Sequence, residues 1–107
     1  MKFLVGYNGS DIAKAALSLA RTYAEISGAT VYVITSMGGG TSEKPEEIRR
    51  AEAALSFAEQ FLQEKGIACE THQLARGRTP GEDVVQFAEE HAIDQIFVGV
   101  EKRSRTQ

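Results

Sequence analysis

The stretch Phe3-Leu4-Val5-Gly6-Tyr7-Asn8-Gly9-Ser10-Asp11 decides the fold. Phe3 to Val5 are apolar at successive positions, the pattern of a strand buried on both faces. Gly6 to Gly9 end that run, and Ser10 and Asp11 offer side-chain oxygens to cap a helix. Ala13, Ala16, Leu17, Ala20 and Ala24 follow at three- and four-residue spacing, with Gly28 where a left-handed C-terminal cap belongs. A doubly buried strand that feeds a one-sided helix is the opening of a parallel β-α-β unit.

The same alternation continues outward. Val31-Tyr32-Val33-Ile34-Thr35 is β-branched and aromatic and predicts a second strand. Met37 to Lys44, with Gly38-Gly39-Gly40, reads as a loop. Pro45 then fits the first turn of a helix whose apolar stripe is Ile48, Ala51, Leu55, Ala58 and Leu62, closed by Gly66. Ile67 to Leu74 predicts a third strand, polar enough (Glu70, Thr71, His72, Gln73) to belong at a sheet edge. Thr79-Pro80-Gly81-Glu82 joins a capping box to Pro at the first helical position, and Val84, Val85, Phe87 and Ala88 supply that helix's apolar side. Ile96 to Val100 predicts a buried fourth strand ahead of Lys102-Arg103-Ser104-Arg105. The order β-α-β-α-β-α-β implies an open, Rossmann-like parallel sheet with right-handed crossovers and helices on both faces. Placing the polar strand at the edge orders the strands 3-2-1-4.

Composition sets outer bounds. At 107 residues the chain fits one domain, spanning residues 1–107, and 42% apolar with 25% charged residues suits a folded core. A net charge of −3 argues against nucleic acid as the main partner, since phosphate backbones need a basic face. The single cysteine, Cys69, cannot form an internal disulfide. The apolar run after Met1 is far too short for a signal peptide or a membrane span, so the expected location is cytoplasmic.

In an open parallel sheet a ligand binds at the carboxyl ends of the strands, where their order reverses. That point falls between the first and fourth strands. Gly6-Tyr7-Asn8-Gly9-Ser10 and Val98-Gly99-Val100-Glu101-Lys102 meet there. Asn8 can hydrogen-bond hydroxyls or ring nitrogens, and Gly9 and Gly99 admit a ligand close to the backbone. Lys102, Arg103, Ser104 and Arg105 bring cations, a hydroxyl and backbone N–H groups suited to phosphate. Glycines that merely end strands, followed by a solvated basic run, satisfy the same residues. Arg76 and Arg78 flank a helix N-terminus on that side, as phosphate contacts or as solvated loop residues. His72 reads as a surface residue, His91 as a helix C-terminal residue, and Cys69 as partly buried.

With these residues the chain resembles the universal stress protein family. The resemblance is carried by Phe3 to Ser10, Ala13-Leu17-Ala20, the second strand ending at Ser36, Gly77 to Glu82, and Ile93 to Gly99, in that order along the chain. It implies a five-stranded sheet of order 3-2-1-4-5, a homodimer often formed through the fifth strand, and a stress-response role with ATP or AMP bound, Mg2+ accompanying the phosphates. It sets Asn8 where the family usually has an Asp contacting ribose or base. It puts Gly6 and Ser36 beside the adenine, counts Tyr7 among the binding residues, and sets Val98 and Gly99 at the start of the phosphate-binding segment, continued by Lys102, Arg103 and Ser104.

Two departures stand out. Lys102 replaces the second glycine of that segment; it can pair with phosphate but lacks glycine's backbone freedom. The sequence ends at Gln107, ahead of the final glycine and hydroxyl residue, the fourth helix and the fifth strand. The expectation is therefore a truncated or partly ordered chain, with a full mass above 11.6 kDa.

Three functions compete. The first is a nucleotide-binding regulatory protein. The second is a dimeric scaffold of the same family that acts through protein contacts without nucleotide. The third, an enzyme, finds no Walker-type lysine, no paired carboxylates for Mg2+ and no nucleophile beside a base, so hydrolysis of ATP would be slow at best. Asp11 looks like a cap and Asp94 begins a strand at the opposite end. A receiver domain would need acidic residues where Asn8 and Arg76 stand, and a flavodoxin-type site would need a richer hydroxyl loop than Asn8-Gly9-Ser10-Asp11.

Overall fold

A computed structural model describes residues 1–36, 44–75 and 79–99. Gly38–Gly40, Arg76, Arg78, Val100 and the run Lys102, Arg103, Ser104 and Arg105 lie outside the described residues. The elements alternate as β1 (Lys2–Gly6), α1 (Asp11–Ser27), β2 (Thr30–Ser36), α2 (Pro45–Gln63), β3 (Cys69–Leu74), α3 (Pro80–Glu90) and β4 (Gln95–Phe97). The sheet is wholly parallel in the order β3-β2-β1-β4, as the burial pattern predicts. In β1 the register sets Phe3 opposite Val31 and Gln95, and Val5 opposite Val33 and Phe97.

The alternation of side chains across the sheet sorts the core into two faces. Phe3, Val5, Val31 and Val33 point to the side covered by α1 and α2. Leu4, Tyr32 and Ile34 point to the side covered by α3, through Phe87. Crossovers β1-α1-β2 and β2-α2-β3 run in one direction along the sheet and β3-α3-β4 runs back, so right-handed connections put α3 alone on its face. The α1 stripe Ala13, Ala16, Leu17, Ala20 and Ala24 is buried as expected, its small residues letting the helix lie close to the sheet. Ser10 is the cap: its hydroxyl accepts from the Ala13 N–H at 3.1 Å, and Gly28 closes the helix at φ 76°. Asp11 lies within the first turn rather than capping it.

Three expectations need correction. β4 is not a buried strand: among the described residues it is the outermost one, paired only with β1, and Ile96 and Val98 are 41% and 46% exposed. Only Phe97 is buried there, packed beside Phe3 and Tyr23. β3 begins at Cys69, because Ile67 still bonds back to the α2 terminus through its N–H to Leu62 O. On α3, Val85 faces solvent at 56% exposure, while the inward position four residues before Phe87 is taken by Asp83, which is wholly buried.

The histidines are also more engaged than a surface reading suggests. His91 stacks on Phe87 with ring centroids 3.8 Å apart, and His72 lies 5.1 Å from the same ring. Together with Tyr32 they close the outer side of the α3 face. Cys69 is partly buried as expected, and its thiol is pushed upward in pKa, first by burial and then by Glu59.

Candidate functional site

The exit from β1 is built by local hydrogen bonds. Tyr7 N–H donates to Ile34 O at 2.9 Å, so pairing with β2 persists one residue beyond the strand. Asn8 Oδ1 then accepts from Ser10 N–H at 3.0 Å, and Gly9 takes φ 86°, a conformation open to glycine at little strain. The turn delivers Ser10 to the start of α1. One lone pair of the Asn8 carboxamide oxygen serves the turn, and the amide N–H groups and the second lone pair are what Asn8 can present. Tyr7 turns its ring inward: it is buried, stacked on Phe57 at 6.2 Å, and burial raises its phenol pKa.

A cleft of about 440 Å³ opens at the carboxyl ends of β1, β2 and β4, within the size range of small-ligand sites. Gly6, Tyr7, Asn8, Ser36, Val98 and Gly99, scattered over the sequence, all border it. The other three expected site residues, Lys102, Arg103 and Ser104, lie outside the described residues. The cleft sits at the switch point, where the chain leaves β1 toward β2 on one side and pairs β4 on the other.

Its fourth wall comes from α3. Pro80, Gly81 and Val84 border the cleft, and Asp83 lies behind them, accepting the Ser36 hydroxyl proton on Oδ2. Sequence reading missed this wall. The capping box Thr79–Glu82 marks where α3 begins, and both of its bonds form, at 2.9 and 3.2 Å. What no local signal specifies is that the helix start crosses above Ser36.

The walls divide by chemistry. Val84, Val98 and Ile34 make apolar surface suited to a planar ring. The N-termini of α1 and α3 both reach the cleft, through Ser10 and Ala13 and through Pro80 and Gly81, and helix N-termini favour anions. Among the described residues no lysine or arginine borders it. Among the described residues the helix N-termini, not side-chain cations, are what would favour an anion there.

The fold and cleft define an open parallel α/β protein with a ligand-sized crevice at its topological switch point. The family model described as Universal stress protein family matches residues 1–107, and the chain belongs to that family. It is 37% identical to a universal stress protein from Archaeoglobus fulgidus, with a TM-score of 0.88 over 97% of this chain and 79% of that one. The universal stress protein from Archaeoglobus fulgidus in complex with dAMP is 35% identical, at a TM-score of 0.83 over 92% of this chain and 79% of that one. A family protein from Arabidopsis thaliana with AMP bound shares the fold at 18% identity, with a TM-score of 0.69 over 94% of this chain and 76% of that one. No curated protein matches the sequence significantly.

Proposed function

We propose that this protein is a regulatory binder of adenine nucleotide, ATP or AMP, acting in a stress response. The observation that carries the reading is the cleft itself: apolar walls beside Ser36 at one end, and the start of α1 with Gly99 at the other. The base fits the apolar end. The phosphates fit the end where α1 begins, away from the Asp83 carboxylate. The dAMP complex of the relative at 35% identity supports a nucleotide in this family. Gly6 and Ser36 would lie beside the base, Asn8 would contact the ribose or base, and Val98 and Gly99 would begin the phosphate path, with Lys102, Arg103 and Ser104 continuing it and Mg2+ accompanying a triphosphate. Self-association belongs to the same reading, because the exposed Ile96 and Val98 leave apolar surface along the β4 edge.

Gly6 provides the test. A Cβ placed there would meet Val84 Cγ2 at 3.4 Å and Val98 Cγ1 at 3.6 Å, ordinary contacts that leave the fold intact while narrowing the cleft. Isothermal titration with AMP and with Mg-ATP should show saturable binding, weakened about tenfold in Gly6→Ala. Absence of heat and of any nucleotide adduct in a native mass spectrum would sink this reading.

A further inference from the structure

Among the described residues two polar side chains are buried, Asp83 and Thr35. Asp83 accepts the Ser36 hydroxyl proton. Thr35 is 6% exposed and borders the cleft, and its hydroxyl has no hydrogen-bond partner among the described residues. Nor is that hydroxyl sealed in, since it keeps some contact with the open side. The fold does not ask for it. Thr35 follows Val31 and Val33 on the face of β2 turned to α1 and α2, where a third valine would suit the strand equally well. A nearly buried hydroxyl without a protein partner is unfavourable until a bond from elsewhere completes it. The cleft is where that bond can come from.

Position says which part of a ligand supplies it. Ser36, next in the chain, turns to the α3 side, where Ile34 and Val84 make the apolar wall. Thr35 turns the other way, to the side where Asn8 and Ser10 lead into α1. The Tyr7 N–H bond to Ile34 O keeps this exit from β1 alongside the end of β2. A base on the apolar wall and phosphates at the start of α1 leave the sugar between them. A threonine hydroxyl gives one proton and offers two lone pairs, the same capacity as a sugar hydroxyl. We propose that Thr35 is a specificity-determining residue of the cleft, its hydroxyl reading a sugar hydroxyl and so favouring ribonucleotide over deoxynucleotide. This inference rests on the nucleotide reading above and assigns the sugar specificity within it.

The test titrates AMP, 2′-deoxy-AMP and 3′-deoxy-AMP calorimetrically into the wild type, Thr35→Val and Thr35→Ser, and follows ligand-free stability by urea denaturation. The wild type is expected to bind AMP about fivefold or more tighter than the form lacking the hydroxyl that Thr35 reads. Thr35→Val should bring all three within about twofold, by weakening only the nucleotides that carry that hydroxyl. Its ligand-free urea midpoint should stand at or above that of the wild type, because no bond within the protein is lost. Thr35→Ser, which keeps the hydroxyl, should retain the preference. If the wild type does not distinguish the three, or Thr35→Val weakens all of them alike or none, the inference is overturned while the nucleotide reading stands. A clearly lower midpoint in Thr35→Val would show that the fold itself uses the hydroxyl, and overturns the inference as well. A wild type that binds none of the three overturns both.

Discussion

Gly99 lies directly against Ile12. A Cβ on Gly99 would fall 2.3 Å from Ile12 Cγ2, 2.6 Å from the Ile12 carbonyl oxygen and 2.7 Å from its carbonyl carbon. Two of those three atoms are backbone, in the first turn of α1, so no rotamer change relieves the overlap. The close approach that Gly99 permits is thus first an approach of helix to strand end. It sets the width of the cleft before any ligand arrives.

Gly99→Ala is therefore expected to lower stability by about 1–3 kcal/mol, through a shift of α1 or of the segment after β4. Urea denaturation of the apo protein measures it. An unchanged midpoint would show that the α1 turn yields freely. A bulky residue at Gly99 reports on packing before it reports on ligand, which makes Gly6 the cleaner probe of binding.

Ser10 and Asp11 both offer an oxygen at the start of α1, but the Ala13 N–H bonds to Ser10 Oγ. Ser10→Ala should cost about 1 kcal/mol of stability. Asp11→Ala, which removes only an exposed charge near the helix dipole, should cost less. The reverse ranking in thermal denaturation would reassign the cap.

Phe87 is the one fully buried side chain that α3 contributes to its apolar cluster, with Leu4, Tyr32 and Ile34 beneath it and His91 stacked on its ring. Phe87→Ala should destabilise by about 3–5 kcal/mol. Its neighbour Val85 points to solvent, so Val85→Ala should change stability by no more than about 0.5 kcal/mol. Equal losses at the two positions would mean that α3 is rotated from the orientation described.

Tyr7 and Cys69 predict the alkaline behaviour. Burial raises both above their ordinary values of 10.0 and 9.0, with Glu59 adding to the shift at Cys69. The folded state keeps these protons at pH values where the unfolded chain has released them. Stability is accordingly intact below about pH 9 and falls as pH rises through the folded-state values. Urea midpoints measured from pH 8 upward should decline, and Tyr7→Phe should flatten the upper part of that decline. A slope identical in Tyr7→Phe and wild type would remove Tyr7 from the account.

Much of this protein follows from local chemistry along the chain. The period-two and period-3.6 apolar patterns, the Ser10 and Thr79 caps and the polar third strand specify the elements, their alternation and the strand order, because each depends on neighbours within one turn or one strand. With the order known, the location of the cleft and the place of Gly6, Asn8, Val98 and Gly99 around it also follow, and the family resemblance adds Ser36. Tertiary structure decided the rest. Ser36 and Asp83 lie 47 positions apart and Gly99 and Ile12 still further, and no local preference couples either pair. Asp83 even breaks the pattern, a charged residue on the inward face of α3, and it became intelligible only when the crossover set it over the end of β2. Side-chain pairing across a sheet is settled by how helices dock on it, and docking is a property of the packed core as a whole.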